Sequence, residues 1–441
     1  MKKRYLCLSL ICLLLTSCDK PLIDFLSKNS LNSSSNYSSG VNSSSSSSDS
    51  NNDSSEVDSS SSSSDSSSYS SYDSKSEDSS SIDSHVSSFS STKEYDDLSI
   101  HFLELGNGYA GDSVYIKAGD KDILIDAGSR ENSAPVITKY INTYCTDKKL
   151  EYVIATHAHQ DHIAGFVGND KNKGIFDSFD VDVIIDYAYK NTTSQISQNY
   201  ESKRDAKVQK GTKHYTAKDC MNKTNGASTS FELAKGITLN ILDQKYYYQK
   251  SSDENNHSVC TLLSQGNNHF LFTGDLEEDG EKSLVEKNPS LPHVKVFKGG
   301  HHGSKTSSNE ALLSKITPEV VCVCTCAGTD EYSKNRENQF PTQAFIDRVA
   351  KYTDKVYVTS QAYSWQTMLN EDGELYPSTT ESQYKPMNGN IVVTSTYNNF
   401  EVHGSNNDTK LKDTEWFNST LTLNGKSVKM RTWPSDGVNT N

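Results

Sequence analysis

Thr156-His157-Ala158-His159-Gln160-Asp161-His162 is the stretch from which the rest of this chain is read. The apolar run Tyr152-Val153-Ile154-Ala155 before it reads as a short buried strand, and Ile163-Ala164-Gly165-Phe166 after it reads as the start of a helix. Metal-capable side chains therefore sit where a strand hands over to a helix. Residues two apart on an extended segment point to the same side, so His157 and His159 can reach one ion together. Asp161 and His162 fall where the chain begins to coil, point elsewhere and suit a second ion. A mixture of imidazole and carboxylate ligands suits zinc, and also manganese or iron. The bland alternative is a polar loop that happens to be His-rich, and the density of His and Asp here argues against it.

Working outward, the chain has 441 residues but does not read as one globule, because its apolar fraction of 33 % is diluted by a serine tract. Met1-Lys2-Lys3-Arg4 is basic and an apolar run from Tyr5 to Leu15 follows, the pattern of a secretory signal over residues 1–17. It ends at Leu15-Thr16-Ser17-Cys18, which resembles the lipobox of bacterial lipoproteins. That resemblance implies cleavage before Cys18, a lipid on Cys18, and an extracytoplasmic protein anchored to the cell membrane. No later segment approaches the roughly 18 apolar residues of a spanning helix. Residues 18–97 read as a disordered tether, too poor in aliphatic side chains to offset the entropy of ordering. From Asp19 to Asp97 there are fourteen acidic and four basic residues, so most of the net charge of −14 belongs to the tether. The remaining body lacks the strong basic balance of a tight, non-specific nucleic-acid binder.

The folded body is expected from residue 98. Leu98–Leu105, Gly111–Ile116 and Asp122–Gly128 read as strands of a meander, and a helix is expected over Ser133–Tyr144. Val181–Ile185, Ile237–Leu242, Ser258–Leu263, His269–Thr273, Val294–Lys298, Lys355–Thr359 and Asn390–Ser395 read as further strands. Helices are expected near 194–208, 277–286 and 342–351, and Ser307-Ser308-Asn309-Glu310 has the form of a capping box ahead of another. The polar span from Asp186 to Asn225 falls between metal-capable segments, a position from which it could overhang the site. Cys322, Cys324 and Cys326 alternate in Val321–Cys326 and read as small apolar core residues on one strand face; pairing of the six body cysteines in an exported protein stays open. The pattern is α/β: two mixed sheets face to face with helices on the outer faces, over residues 98–360, followed by a strand-rich extension over 361–441.

Metal-capable groups recur at three strand ends: His157 to His162; Gly274-Asp275; and Gly300-His301-His302-Gly303. This ordered set resembles the metallo-β-lactamase-fold hydrolases. Gly111-Asp112-Ser113, Leu124-Ile125-Asp126-Ala127-Gly128, Thr273-Gly274-Asp275 and His301-His302-Gly303-Ser304 resemble, more narrowly, the extracytoplasmic hydrolase domain of ComEC-type competence proteins and their free-standing relatives. The resemblance implies an αββα sandwich and two divalent metal ions, zinc or manganese. It assigns His157 and His159 to the first ion, Asp161 and His162 to the second, and Asp275 to a bridge between them. His302 is preferred as the remaining ligand of the second ion, which leaves His301 to contact substrate. The usual third-motif histidine has no clear counterpart; His257, eighteen residues before Asp275, is the candidate, with a loop residue as the alternative. Asp126 is expected to orient a ligand through hydrogen bonds.

Such a site lowers the pKa of water and draws charge off the oxygen of an attacked phosphoryl or carbonyl group. Asp161, His301 and Lys305 are the candidate catalytic groups, Asp161 to orient the water and His301 and Lys305 to contact an anionic substrate. A cationic lysine and hydroxyls beside the ligands favour a phosphodiester, DNA first, over a lactam. Phosphodiester-linked decorations of cell-wall polymers are a second expectation, and a non-catalytic surface-binding lipoprotein is a third, from a different class. No obligate protein partner is implied.

Overall fold

The computed structural model describes residues 95–333, 335–363, 383–423 and 426–440. The expected signal segment, Cys18 and the tether as far as residue 94 lie outside the described residues. Among the described residues no helix is long and apolar enough to cross a membrane.

In the first half, β1 (Leu98–Phe102), β2 (Val114–Ala118) and β3 (Lys121–Ile125) form the expected antiparallel meander. β4 (Lys149–Ile154), β5 (Asp180–Asp186) and β6 (Lys213–Thr216) continue the sheet in parallel. Parallel neighbours need crossovers, supplied here by α1 (Ser133–Ile141), α2 (Gln160–Val167) with the short α3 (Ile175–Ser178), and α4 (Gln195–Val208). After α5 (Ala217–Asn222) the plan repeats. β7 (Ser230–Ala234), β8 (Ile237–Ile241), β9 (Thr261–Gln265) and β10 (Asn268–Phe272) are antiparallel. β11 (Val296–Lys298), β12 (Val320–Ala327) and β13 (Val356–Ala362) are parallel, joined through α6 (Glu278–Lys287), α7 (Glu310–Ile316) and α8 (Gln343–Val349).

The strands alternate between two cores, as period-two side chains must. Ile123 and Ile125 of β3 and Phe270 and Phe272 of β10 meet in the layer between the sheets. Leu124 faces the other way, under Ile137 of α1 and Ile163 and Phe166 of α2. Leu271 likewise packs outward with Leu312 and Leu313 of α7 and Phe345 of α8. All eight residues of β12 are buried, Cys322 and Cys324 between the sheets and Val321 and Val323 outside, as a strand covered on both faces requires. Each such aliphatic or aromatic side chain contributes roughly 1.5–3 kcal/mol by leaving water. This is the α/β sandwich of two mixed sheets with flanking helices that the motifs imply. The described cysteines, Cys145, Cys220, Cys260, Cys322, Cys324 and Cys326, are free and buried.

Two expectations change. Residues beyond 360 are not appended to a finished domain. β14 (Tyr384–Pro386) pairs with β13, β15 (Ile391–Thr396) pairs with β1, and β16 (Asn399–Gly404) edges the first sheet. Ile391 and Val393 belong to the inter-sheet core, so a boundary at 360 would strip one sheet of its packing. The capping box at Ser307 also does not form. The N-cap of α7 is Asn309, and Ser307 Oγ donates instead to the carbonyl of Leu276 at 2.8 Å.

Candidate metal centre

The site is assembled at the carboxyl ends of β3, β4, β10 and β11. β4 delivers Thr156–His159, and α2 starts immediately after, with His159 at its N-cap and Asp161 in its first turn. β10 runs into Gly274-Asp275 and β11 into Gly299–Gly303. These turns are tied by backbone hydrogen bonds: Asp112 N–H to the Asp161 carbonyl at 3.0 Å, Ala127 N–H to the His162 carbonyl at 2.7 Å, and His301 N–H to the Gly274 carbonyl at 3.2 Å. The approach is close enough that a Cβ on Gly128 would lie 1.5 Å from the Asp161 carbonyl oxygen, which explains glycine in Asp126-Ala127-Gly128. Asp126, His301 and His302 all have positive φ (58°, 45° and 54°), left-handed conformations that non-glycine residues hold only where their surroundings impose them.

His157 Nε2 and His159 Nδ1 are 3.1 Å apart, converging as two ligands of one ion would. Asp161, His162, Asp275 and His302 bring one ligand atom each within 4.8 Å of one another, and all four are buried. Asp275 Oδ2 lies 3.1 Å from His162 Nε2 and 3.3 Å from His302 Nε2, and Asp161 Oδ2 lies 3.3 Å from His302 Nε2. His162 Nε2 and both carboxylate oxygens of Asp275 are buried without a hydrogen-bond partner. Buried polar atoms are costly when unsatisfied. A divalent cation is the group this donor set fits: His157 and His159 would hold one, and Asp161, His162, Asp275 and His302 another. When bound, such ions supply Lewis-acid polarisation and acidify water.

Orienting groups stand behind the ligands. His162 Nδ1 faces Asp126 Oδ2 at 2.8 Å, and Asp126 also accepts from the backbone and hydroxyl of Thr156. His302 Nδ1 donates to the carbonyl of Cys324 at 2.9 Å, and Ser258 Oγ lies 3.5 Å from His157 Nδ1. These contacts fix which ring nitrogen is turned to the centre. Burial disfavours charge on His162 and His302, but the surrounding carboxylates outweigh it, Asp275 and Asp126 for the first and Asp275 and Asp112 for the second. Both pKa values are held well above the ordinary imidazole range. Burial and the neighbouring His162 and His159 push His157 the other way, well below it.

The placement of the predicted residues is uneven. His157, His159, Asp161, His162, Asp275 and His302 are brought together, and His301 stands at the edge, half-buried, with Nε2 3.8 Å from Asp275 Oδ2. His257 is not brought to the cluster. Its Nε2 accepts from Ser251 N–H at 3.1 Å and its Nδ1 faces Glu254 at 3.5 Å, so it braces the loop before β9. Lys305 is exposed and donates to Asn338 Oδ1 at 2.9 Å, not to the ligand carboxylates. The polar span 186–225 adds α4, β6 and α5 to the fold; its Asn191 N–H is held by Glu254, whose other oxygen accepts from Ala158 N–H beside the ligands. Sequence reasoning missed Lys298, which is buried at 2 % exposure and ion-paired to Asp112, with Nζ 3.1 Å from the Gly274 carbonyl and 3.6 Å from Asp275 Oδ1. The available signal was a lysine closing an otherwise apolar strand that leads straight into the His301-His302 turn.

The His301-His302 turn is braced from α6. Glu281 accepts from Ser308 N–H at 2.6 Å and from Asn309 N–H at 2.8 Å, replacing the absent capping box, while Ser308 Oγ accepts from Gly300 N–H at 3.1 Å. Burial pushes the Glu281 carboxyl up to about 7, against these hydrogen bonds, from 4.5. A folded-state pKa above the unfolded one means that the native state holds the proton more tightly. The stabilisation is therefore complete below about pH 4.5 and is lost as the pH rises to about 7. Wild-type unfolding free energy should fall on this account by about 2–3 kcal/mol between pH 5 and 8. Denaturant titrations of Glu281→Gln should show a markedly smaller fall over the same range; an unchanged fall would remove Glu281 as its source.

Fold and cluster together define a metallo-β-lactamase-like α/β sandwich that carries a set of side chains fit to hold divalent metal. Residues 106–171 match the Metallo-beta-lactamase superfamily. Over 119 residues the chain is 34 % identical to Recombination protein 2 of Haemophilus influenzae, covering 26 % of this chain and 13 % of that protein. It is 24 % identical over 284 residues to ComE operon protein 3 of Bacillus subtilis, covering 59 % and 32 %. It is 24 % identical over 265 residues to Competence protein ComA of Neisseria gonorrhoeae, covering 60 % and 31 %. The domain is thus distantly related to competence proteins, and the chain spans at most 32 % of the length of these three relatives.

Proposed function

We propose that this chain is a dinuclear phosphodiesterase, anchored outside the cell membrane through lipid on Cys18, with DNA as the first candidate substrate. The observation that carries the reading is the buried Asp161–His162–Asp275–His302 cluster, with its unpartnered ligand atoms, beside the paired rings of His157 and His159. The half-buried His301 stands at its margin, where an anionic ester would meet it. The relatedness to competence proteins favours a nucleic acid, and zinc or manganese suits the ligand set. The anchoring rests on the basic start, the apolar run and Leu15-Thr16-Ser17-Cys18.

In this reading Asp161 orients the attacking water as well as binding metal, and His301 contacts the non-bridging phosphoryl oxygens. The test is to incubate the purified protein and Asp275→Asn with Mn²⁺ or Zn²⁺, using bis-p-nitrophenyl phosphate and single- and double-stranded DNA as substrates. Cleavage of both the model ester and DNA by the wild type alone is the expected result. Cleavage of the model ester alone would move the substrate to another phosphodiester, such as a cell-wall polymer decoration. Metal uptake without cleavage of either substrate would overturn the phosphodiesterase assignment.

A further inference from the structure

Tyr332 combines two properties that rarely go together. The residue is large and 53 % exposed, yet its hydroxyl donates to Asp161 Oδ2 at 2.5 Å, inside the candidate metal centre. Among the described residues, the other exposed large apolar or aromatic side chains are Val136, Tyr144, Val208, Tyr248 and Tyr363, and none of these hydrogen-bonds to a ligand residue. The hydroxyl is anchored at the centre while about half of the residue's surface stays in contact with solvent.

The ring is also held in place. The preceding residue, Glu331, accepts from Ala110 N–H at 2.8 Å and forms an ion pair with Arg130, which fastens the segment to the loops before β2 and after β3. On its other side the Tyr332 ring lies 5.7 Å from Phe340, which in turn lies 5.7 Å from His301. The Arg130 guanidinium sits 4.3 Å over the Tyr109 ring, a cation already seated on an aromatic face at the same margin. A fixed, half-exposed aromatic ring beside a centre read as phosphoryl-handling matches the element that holds the bases of single-stranded nucleic acid, a π-face on which a base can stack.

We propose that Tyr332 is a substrate-binding residue whose ring stacks on the nucleobase next to the phosphodiester held at the metal centre. This rests on the nucleic-acid reading above and adds that the site senses the base, not the backbone alone. It also makes single-stranded or frayed ends the preferred form, because a paired base does not offer its face.

The test compares a fluorescent single-stranded thymidine oligonucleotide with an abasic oligonucleotide of the same length. Affinity is read by anisotropy, and cleavage is read separately with Mn²⁺. Wild type should bind the thymidine strand at least about 5-fold more tightly than the abasic one, the lower end of what a single base–aromatic stack contributes. Tyr332→Phe keeps the ring and should keep this ratio. Tyr332→Leu should bring it close to one while the abasic affinity stays within about twofold. Equal binding of the two strands by wild type, or a ratio that survives Tyr332→Leu, overturns the proposal even if both strands are cleaved, and leaves the phosphodiesterase reading standing. Failure to bind either strand overturns it too, and failure to hydrolyse any phosphodiester removes the reading beneath it.

Discussion

Lys298→Met should lower the unfolding free energy by about 3–5 kcal/mol, the usual cost of removing one member of a buried ion pair. The reason lies in what the lysine leaves behind. Lys298 is 2 % exposed, paired with Asp112 and 3.6 Å from Asp275 Oδ1, and Asp112 and Asp275 are themselves buried. Methionine fills much of the same volume but supplies no charge, so two carboxylates remain in a low-dielectric interior with one fewer cation. The lysine is held protonated there: burial opposes its charge, but Asp112 and Asp275 raise its pKa above the ordinary range. For a domain of this size the melting temperature should drop by roughly 4–7 °C. The double variant Asp112→Asn/Lys298→Met should recover part of the loss, because it removes a stranded charge together with its partner. Thermal melts of the single and double variants measure this directly. A Lys298→Met protein as stable as wild type would mean that the ion pair contributes nothing.

The second large effect separates His302 from His257, both of which the sequence offered as ligands. His302→Ala should reduce metal affinity and hydrolysis by more than about 100-fold, beyond the 10- to 100-fold typical for residues that merely support ligands. His257→Ala should leave metal stoichiometry unchanged. His302 Nε2 faces both Asp161 and Asp275 at 3.3 Å, whereas His257 spends one nitrogen on Ser251 N–H and turns the other to Glu254. Removing His257 should instead cost about 1–3 kcal/mol of stability, for a buried N–H left unpaired. Metal content after dialysis against a fixed zinc or manganese concentration, measured for both variants, decides the matter. Loss of an ion from His257→Ala would restore it as a ligand.

Much of the fold was legible because its signals are local. The meander of β1 to β3, the strand ahead of Thr156, and the apolar runs of β10 and β12 announce themselves by alternation or continuous apolarity within a few residues. The ligands His157, His159, Asp161 and His162 were legible for the same reason, since one turn carries them all. Asp275 and His302 were found because each follows an apolar strand in an ordered set of motifs.

What the sequence by itself determined, then, is the α/β class, the pairing of two mixed sheets and the residues able to hold metal. Each depends on spacing along the chain, and spacing survives without a third dimension. Only the tertiary structure decided which groups meet. Residues 384–404 complete both sheets because strand pairing, unlike helix formation, joins segments nearly 300 residues apart, as Phe102 and Ile391 are. Tyr332 reaches Asp161 across 171 positions, and Lys298 reaches Asp112 across the two halves. Glu281 takes the place of a capping box that the local pattern Ser307-x-x-Glu310 had promised. In each case a contact distant in sequence outweighed or completed a local one. Burial makes an unpaired charge or N–H costly, and the nearest partner in space need not be near along the chain.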